Sequence, residues 1–248
     1  MNINKELFKQ QYQSLTGKPF SKQLPDTFYD LLDAQFDPDE FNTGLEALLL
    51  TSQSLVAQET GLHTEFPETY RPAASHISGI FLGHVKVQGD FYADSHTYIL
   101  GNLEVSGVIY GNIHGILAVA GNITCSGMYL FRSYLFTTGA ITVKQCFLGI
   151  TYGFAMIKGI MTTPVYIQDR SWINCDVTEH PALLEEPSLE KISAQHIIDI
   201  DQLNGKELQA QLVALFGTEP VIMDQNGDWQ FEDLFAWISK QAHTGDLL

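Results

Sequence analysis

The stretch LGNLEVSGVIYGNIHG, residues 100–115, contains Gly-Asn followed by an apolar residue twice, ten residues apart. Such a stretch is compatible with a phosphate-binding loop, a catalytic hexapeptide coil or one unit of a longer repeat. Alignment of the whole chain on this stretch favours the repeat, because five segments superpose without gaps. They share a glycine at Gly83, Gly101, Gly121, Gly139 and Gly159, so the spacings are 18, 20, 18 and 20 residues.

Each segment alternates apolar and polar residues after its glycine. The position two residues on holds Val85, Leu103, Ile123, Ile141 and Met161, and the position four residues on holds Val87, Val105, Cys125, Val143 and Thr163. The position between them holds Lys86, Glu104, Thr124, Thr142 and Thr162, which are all polar. This alternation predicts one half-buried strand per repeat, with its apolar side facing a shared interior.

A second column lies thirteen residues after each glycine and consists of flat rings. Its members are His96, His114, Tyr134, Tyr152 and Trp172. Equivalent side chains of stacked strands lie about 4.8 Å apart, a distance at which flat rings stack. We therefore predict that these five residues form a structural ladder along the stack.

The length of the repeat is that of one coil of a β-helix. One coil cannot bury its apolar side alone, but about five stacked coils bury it. Left-handed hexapeptide coils need an aliphatic residue at every sixth position, and counting by six from Leu82 gives Gln88 and Asp94 instead. The predicted β-helix is therefore right-handed.

Segments with helical spacing of apolar residues flank the repeats, for example at residues 38–58 and 228–238. We predict a mainly β fold, a right-handed parallel β-helix that is flanked and capped by α-helical segments at both ends. The predicted division is an N-terminal helical cap at residues 1–63, the β-helix solenoid at residues 64–178 and an acidic C-terminal helical segment at residues 179–248.

The formal net charge of −16 at pH 7 is concentrated in the two flanks. Residues 1–76 hold five Lys or Arg against eleven Asp or Glu (−6), residues 77–176 hold five against five (0), and residues 177–248 hold three against thirteen (−10). An acidic surface repels nucleic acid and anionic lipid headgroups and attracts basic proteins, so we expect a basic protein partner. The first fifteen residues lack the apolar run of a signal peptide, which predicts a cytoplasmic protein.

The residue patterns favour structure over catalysis. Cys125, Cys146 and Cys175 lack the close pairing of a zinc site. His96 and His114 are the candidate bases of an acyltransferase, but they share the ring column with tyrosine and tryptophan. No column stacks the two acids that a sugar-active enzyme needs. We therefore expect no catalytic residues, no metal and no cofactor.

The run HTYILGNLEVSGVIYGNIHGILAVAGNITCSG, residues 96–127, resembles the core of the bactofilins, which are bacterial polymer-forming cytoskeletal proteins. The resemblance covers residues 77–165 and implies a compact right-handed β-helix. Bactofilins polymerise end on end, whereas the acidic helical segments predicted here would cover the coil edges. Solenoids of this kind also occur beside polymorphic toxins as immunity proteins, and an acidic cytoplasmic chain without an active site resembles that class.

These observations predict a non-enzymatic protein-binding β-helix protein, an immunity or antitoxin protein that neutralises a basic toxin domain through its acidic surface. The predicted partner-binding residues are Glu185, Glu186, Glu190, Asp228, Glu232 and Asp233. Two alternatives stay open: a bactofilin-like scaffold that assembles into a homo-oligomer, and a β-helix enzyme that is an acyltransferase or acts on sugars.

Overall fold

A computed structural model describes residues 63–71, 79–94, 96–111, 115–150, 153–169, 171–174, 192–220, 223–224 and 230–244. These residues form a mainly β structure, a parallel β-solenoid of about five turns with two α-helices. The predicted N-terminal helical cap lies outside the described residues, except for His63 at the start of the first strand. None of the described helices is long and apolar enough to cross a membrane.

Two parallel sheets run the length of the solenoid. The first sheet contains β1 (His63–Phe66), β3 (His84–Val87), β4 (Phe91–Ala93), β6 (Leu103–Val105), β7 (Val108–Gly111), β9 (Ile123–Phe131), β11 (Ile141–Ile150), β13 (Met161–Asp169) and β15 (Ile192–Asp199). The second sheet contains β2 (Gly79–Leu82), β5 (His96–Leu100), β8 (Ile116–Val119), β10 (Tyr134–Thr137), β12 (Phe154–Ile157) and β14 (Trp172–Asn174). Each strand pairs with its equivalent one coil away, so the chain winds as a stack of coils.

The two apolar columns predicted after the glycines form part of the solenoid interior. Ile123 pairs with Leu103 and Ile141 in the first sheet, and all ten side chains of the two columns are at most 1% exposed. The polar column between them points outward, where Lys86 Nζ lies 3.1 Å from Glu104 Oε1. The predicted alternation is therefore confirmed, because successive residues of a strand face opposite sides of its sheet.

The repeated glycine is required by close backbone contact between coils. A Cβ atom on Gly101 would collide with the carbonyl oxygen of Gly83, and a Cβ atom on Gly121 would lie 2.8 Å from the carbonyl oxygen of Gly101. Gly139 and Gly159 meet the backbone of the preceding corner in the same way. Any other residue would push neighbouring coils apart.

The asparagine of the Gly-Asn motif joins one coil to the next. Asn102 Oδ1 accepts a hydrogen bond from the Asn122 amide at 2.8 Å, and Asn122 Oδ1 accepts one from the Ala140 amide at 2.9 Å. His84 Nδ1 accepts the equivalent bond from the Asn102 amide at 3.1 Å. We call these residues the corner ladder, and it satisfies backbone amides where the chain turns.

The second sheet corrects the predicted column of rings. Its register pairs His96 with Ile116, Ile116 with Tyr134, Tyr134 with Phe154, and Phe154 with Trp172. Residues 96, 134 and 172 therefore lie in one column, as predicted. In the other two coils this column contains Ile116 and Phe154, whereas counting thirteen residues from the glycine had predicted His114 and Tyr152. Those two residues lie outside the described residues.

The reason for this shift is the extra length of the 20-residue coils. Relative to the coil that starts at Gly121, the coil that starts at Gly139 has one additional residue in a bulge between Val143 and Cys146. A second additional residue precedes Phe154, which pairs with Tyr134. In a 20-residue coil, counting thirteen residues from the glycine therefore stops two residues before the position that pairs in the second sheet.

The C-terminal part of the chain covers the flank of the solenoid. Strand β15, which the sequence analysis placed in the C-terminal helical segment, pairs with β13 and continues the first sheet. Helix α1 (Gly205–Phe216) follows with Asn204 as its N-cap, and helix α2 (Phe231–Thr244) contacts β9 and β7 in the middle of the stack. Helix α2 thus lies along the side of the solenoid and not over its end.

Candidate functional site

A column of tyrosines faces outward from the first sheet. The backbone register pairs Tyr92 on β4 with Tyr110 on β7, and Tyr110 with Tyr129 on β9. The first two rings stack with centroids 4.8 Å apart and an interplanar angle of 12°. The rings of Tyr110 and Tyr129 meet edge to face at 6.2 Å. The residues before these tyrosines, Phe91, Ile109 and Met128, point inward and are fully buried, so the interior fixes where each tyrosine stands.

Helix α2 forms the wall opposite this column. Its apolar residues recur at helical spacing and face the sheet; they are Phe231, Leu234, Phe235 and Ile238. The Phe235 ring lies 5.3 Å from that of Tyr129. The Tyr129 hydroxyl donates a hydrogen bond to Glu232 Oε1 at 3.1 Å, which brings a carboxylate of the helix to the end of the tyrosine column.

A buried polar contact fixes the position of the helix. Ser239 Oγ lies 2.8 Å from both carboxylate oxygens of Asp90 and donates its hydrogen to this carboxylate, which also accepts the amide of Val108 at 2.8 Å. Both Asp90 and Ser239 are only 9% exposed. A buried carboxylate needs such donors, so α2 is held in one register against the sheet.

Between the tyrosine column and α2 lies an open groove of about 670 Å³. We call it the tyrosine groove, and it is lined by Tyr92, Asp94, Tyr110, Tyr129, Phe131, Glu232 and Ala236. Its charged lining residues are the carboxylates Asp94 and Glu232.

Each end of the groove already carries a guanidinium over an aromatic ring. The guanidinium carbon of Arg71 lies 4.0 Å from the centre of the Tyr92 ring, and Arg71 Nε lies 3.3 Å from Asp94 Oδ2. The guanidinium carbon of Arg132 lies 5.5 Å from the centre of the Phe131 ring. Both are cation–π contacts.

Burial and nearby carboxylates both act on the tyrosine hydroxyls. Burial, and then the charge of Asp90, raises the pKa of Tyr110. Burial raises the pKa of Tyr129, and the charge and hydrogen bond of Glu232 raise it further. Both hydroxyls therefore stay protonated at neutral pH, and their oxygens can accept hydrogen bonds.

The structure brings one predicted partner-binding residue into this groove. Glu232 lines it, and Asp233 is exposed on the same helical turn but is not part of the lining. Glu185, Glu186, Glu190 and Asp228 lie outside the described residues.

The residues proposed for the enzyme alternative do not form a described site. The backbone of the candidate base His96 is in the second sheet, and the other candidate, His114, lies outside the described residues. Across the part of the chain that the structure describes, no group of three or more His, Cys, Asp or Glu side chains is placed to hold a metal ion. Cys125 and Cys146 are buried free thiols whose pKa is raised by burial.

The tyrosine column was not among the predicted site residues, although the sequence contains a signal for it. An apolar residue followed by tyrosine occurs at 91–92, 109–110 and 128–129, with the tyrosines 18 and 19 residues apart. That spacing indicates one tyrosine per coil on the outer face. No family model, curated protein or solved structure matches the chain.

Proposed function

We propose that this chain is a non-enzymatic protein-binding β-helix protein of the immunity or antitoxin class, which neutralises a basic toxin domain through its acidic surface. The main support for this proposal is the tyrosine groove. Its charged lining residues are the carboxylates Asp94 and Glu232, in a chain whose net charge is −16.

The negative charge of the chain supports a basic partner. The C-terminal residues 177–248 have a net charge of −10, and helix α2 from this region forms one wall of the groove. An acidic surface raises the association rate of a basic protein, and it repels other acidic proteins. The groove adds a concave surface with aromatic rings, which are common in the centres of protein interfaces.

The proposal also includes three predicted features of the architecture. They are the right-handed winding, a helical segment that covers the N-terminal end, and the likeness to bactofilins, with whose β-helix the observed parallel solenoid is compatible. A covered end would block end-on stacking and favour a discrete particle over a filament. Light scattering at several protein and salt concentrations separates the two, because growth into long polymers would support the scaffold alternative instead.

The direct test uses a basic toxin domain encoded beside the gene, purified in an inactive form. We expect it to bind the full chain, with an affinity that falls at least about tenfold as salt rises from 50 to 300 mM. Reversing the charges of Glu185, Glu186, Glu190, Asp228, Glu232 and Asp233 should weaken binding and abolish protection of cells from the active toxin. The matched control is Glu104→Lys, which reverses an exposed charge outside the groove.

Equal binding and protection by the charge-reversed chain would show that the acidic surface does not recognise the partner. A chain that binds no neighbouring gene product at all would overturn the immunity function itself.

A further inference from the structure

We infer that the tyrosine groove receives an arginine side chain of the partner, with its guanidinium held between the Glu232 carboxylate and the hydroxyl oxygens of the tyrosine column. This inference rests on the proposed function, since it names the group through which a basic partner is recognised.

The acceptors of the groove match a guanidinium. This group is planar and has five N–H donors, and it binds carboxylates with two parallel hydrogen bonds. Glu232 already accepts one hydrogen bond, from the Tyr129 hydroxyl at 3.1 Å, and a carboxylate has about four acceptor positions. Both Glu232 and part of the Tyr110 ring are accessible from solvent.

The protein itself contains the same arrangement at one end of the groove. Arg71 lies over the Tyr92 ring and beside Asp94, so a guanidinium, a tyrosine ring and a carboxylate are already combined there. Because Arg71 occupies that end, an incoming arginine would take the part of the groove between Tyr110 and Glu232. The buried charge of Asp90 behind the tyrosines attracts it further.

Ring geometry disfavours a neutral sugar as the occupant. Sugars bind aromatic side chains mainly by stacking on an open ring face. The faces of Tyr92 are directed at Tyr110 and Arg71, and one face of Tyr110 is directed at Tyr92. The groove instead presents hydroxyl and carboxylate oxygens, which suit a donor-rich cation better than a neutral ring.

The test uses three nine-residue peptides that differ only at three positions, which hold arginine, lysine or citrulline. Citrulline has the shape of arginine without its charge. We expect calorimetry on the full chain to show binding of the arginine peptide, binding about fivefold weaker for the lysine peptide, and none for the citrulline peptide. Glu232→Gln should weaken binding of the arginine peptide by about tenfold, because hydrogen bonds to charged groups are the strongest.

The matched control is Glu219→Gln, the same substitution at an exposed position outside the groove. It should change peptide affinity less than about twofold. Tyr110→Phe removes one hydroxyl acceptor and should weaken binding severalfold, while circular dichroism shows that each variant keeps its β structure. Equal binding of the arginine and citrulline peptides, equal effects of the Glu232 and Glu219 variants, or displacement of the arginine peptide by a neutral oligosaccharide would each overturn the inference.

The two proposals fail in different ways. A toxin partner that binds Glu232→Gln and Tyr110→Phe with full affinity would refute the arginine site and leave the binding function intact. A chain that binds the arginine peptide through Glu232 but binds no toxin domain would refute the function alone.

Discussion

The interior of the solenoid and its flank are held together by contacts of different range. Inside, Ile123 meets Leu103 and Ile141, which are 20 and 18 residues away, and the same contact recurs in each coil. On the flank, Ser239 contacts Asp90 at a separation of 149 residues, and Glu232 contacts Tyr129 at a separation of 103. The interior is thus specified by the repeat, whereas the docking of α2 depends on contacts between residues far apart in the sequence.

The largest loss of stability is expected from the interior substitution Phe147→Ala. Phe147 is fully buried and contacts Tyr166 of the next coil, with ring centroids 5.8 Å apart. Removing the ring should lower the free energy of unfolding by about 3–5 kcal/mol, measured by chemical denaturation. Thr142→Ala on the exposed face of the same strand should change it by less than about 0.5 kcal/mol. A loss below about 1 kcal/mol for Phe147→Ala would show that the interior tolerates cavities.

The flank substitution Phe235→Ala removes a ring of equal size that is equally buried. We expect it to cost about 3 kcal/mol, but to release α2 while the strands stay paired. Hydrogen exchange should therefore show faster exchange in α2 and unchanged protection in β11. Loss of protection in both regions together would mean that interior and flank unfold as one unit.

A smaller effect is expected when the polar contact of α2 is removed. Ser239→Ala leaves the buried carboxylate of Asp90 with one donor fewer and should destabilise the docking of α2 by about 2 kcal/mol. The exposed Ser193→Ala on β15 is the control and should be neutral. Hydrogen exchange of α2 measures the change, and equal values for the two variants would contradict the role of Ser239.

The smallest effect concerns the corner ladder. Asn122→Ala removes the acceptor of the Ala140 amide and should lower the free energy of unfolding by about 1 kcal/mol. Thr162→Ala, on the exposed face of β13, serves as the control for denaturation. A loss as large as that of Phe147→Ala would show that the corners, and not the interior columns, determine the stability of the stack.

The features that could be predicted are those that repeat at a constant distance from the glycine. The inward positions of β6, β9 and β11 follow from alternation, since Val105, Cys125 and Val143 stand four residues after their glycines. The corner glycines follow as well, because close contact between coils recurs in every coil.

The register of the second sheet could not be predicted by counting alone. The bulge in β11 and the longer corner before β12 each add a residue, and neither has a distinctive sequence pattern. Consequently Phe154 stands in the column where Tyr152 was expected. Only the backbone pairing shows where the additional residues lie.

The candidate groove was predictable in part. Glu232 was selected for its charge, but its place beside Tyr129 depends on how α2 docks, which no local pattern contains. A signal for a covered flank does exist: β11 and β13 have apolar residues on both faces, for example Leu148 next to Phe147 and Ile167 next to Tyr166. A strand that is apolar on both sides indicates that another layer covers it.

The corner ladder has a mechanical consequence. Its hydrogen bonds run parallel to the axis of the stack, so a force that pulls the coils apart along that axis loads them directly. The ladder ends at Ala140, whose methyl group offers no acceptor to the coil that starts at Gly159. The joint between these two coils therefore carries axial load through strand pairing alone, which joins β11 to β13 along most of their length.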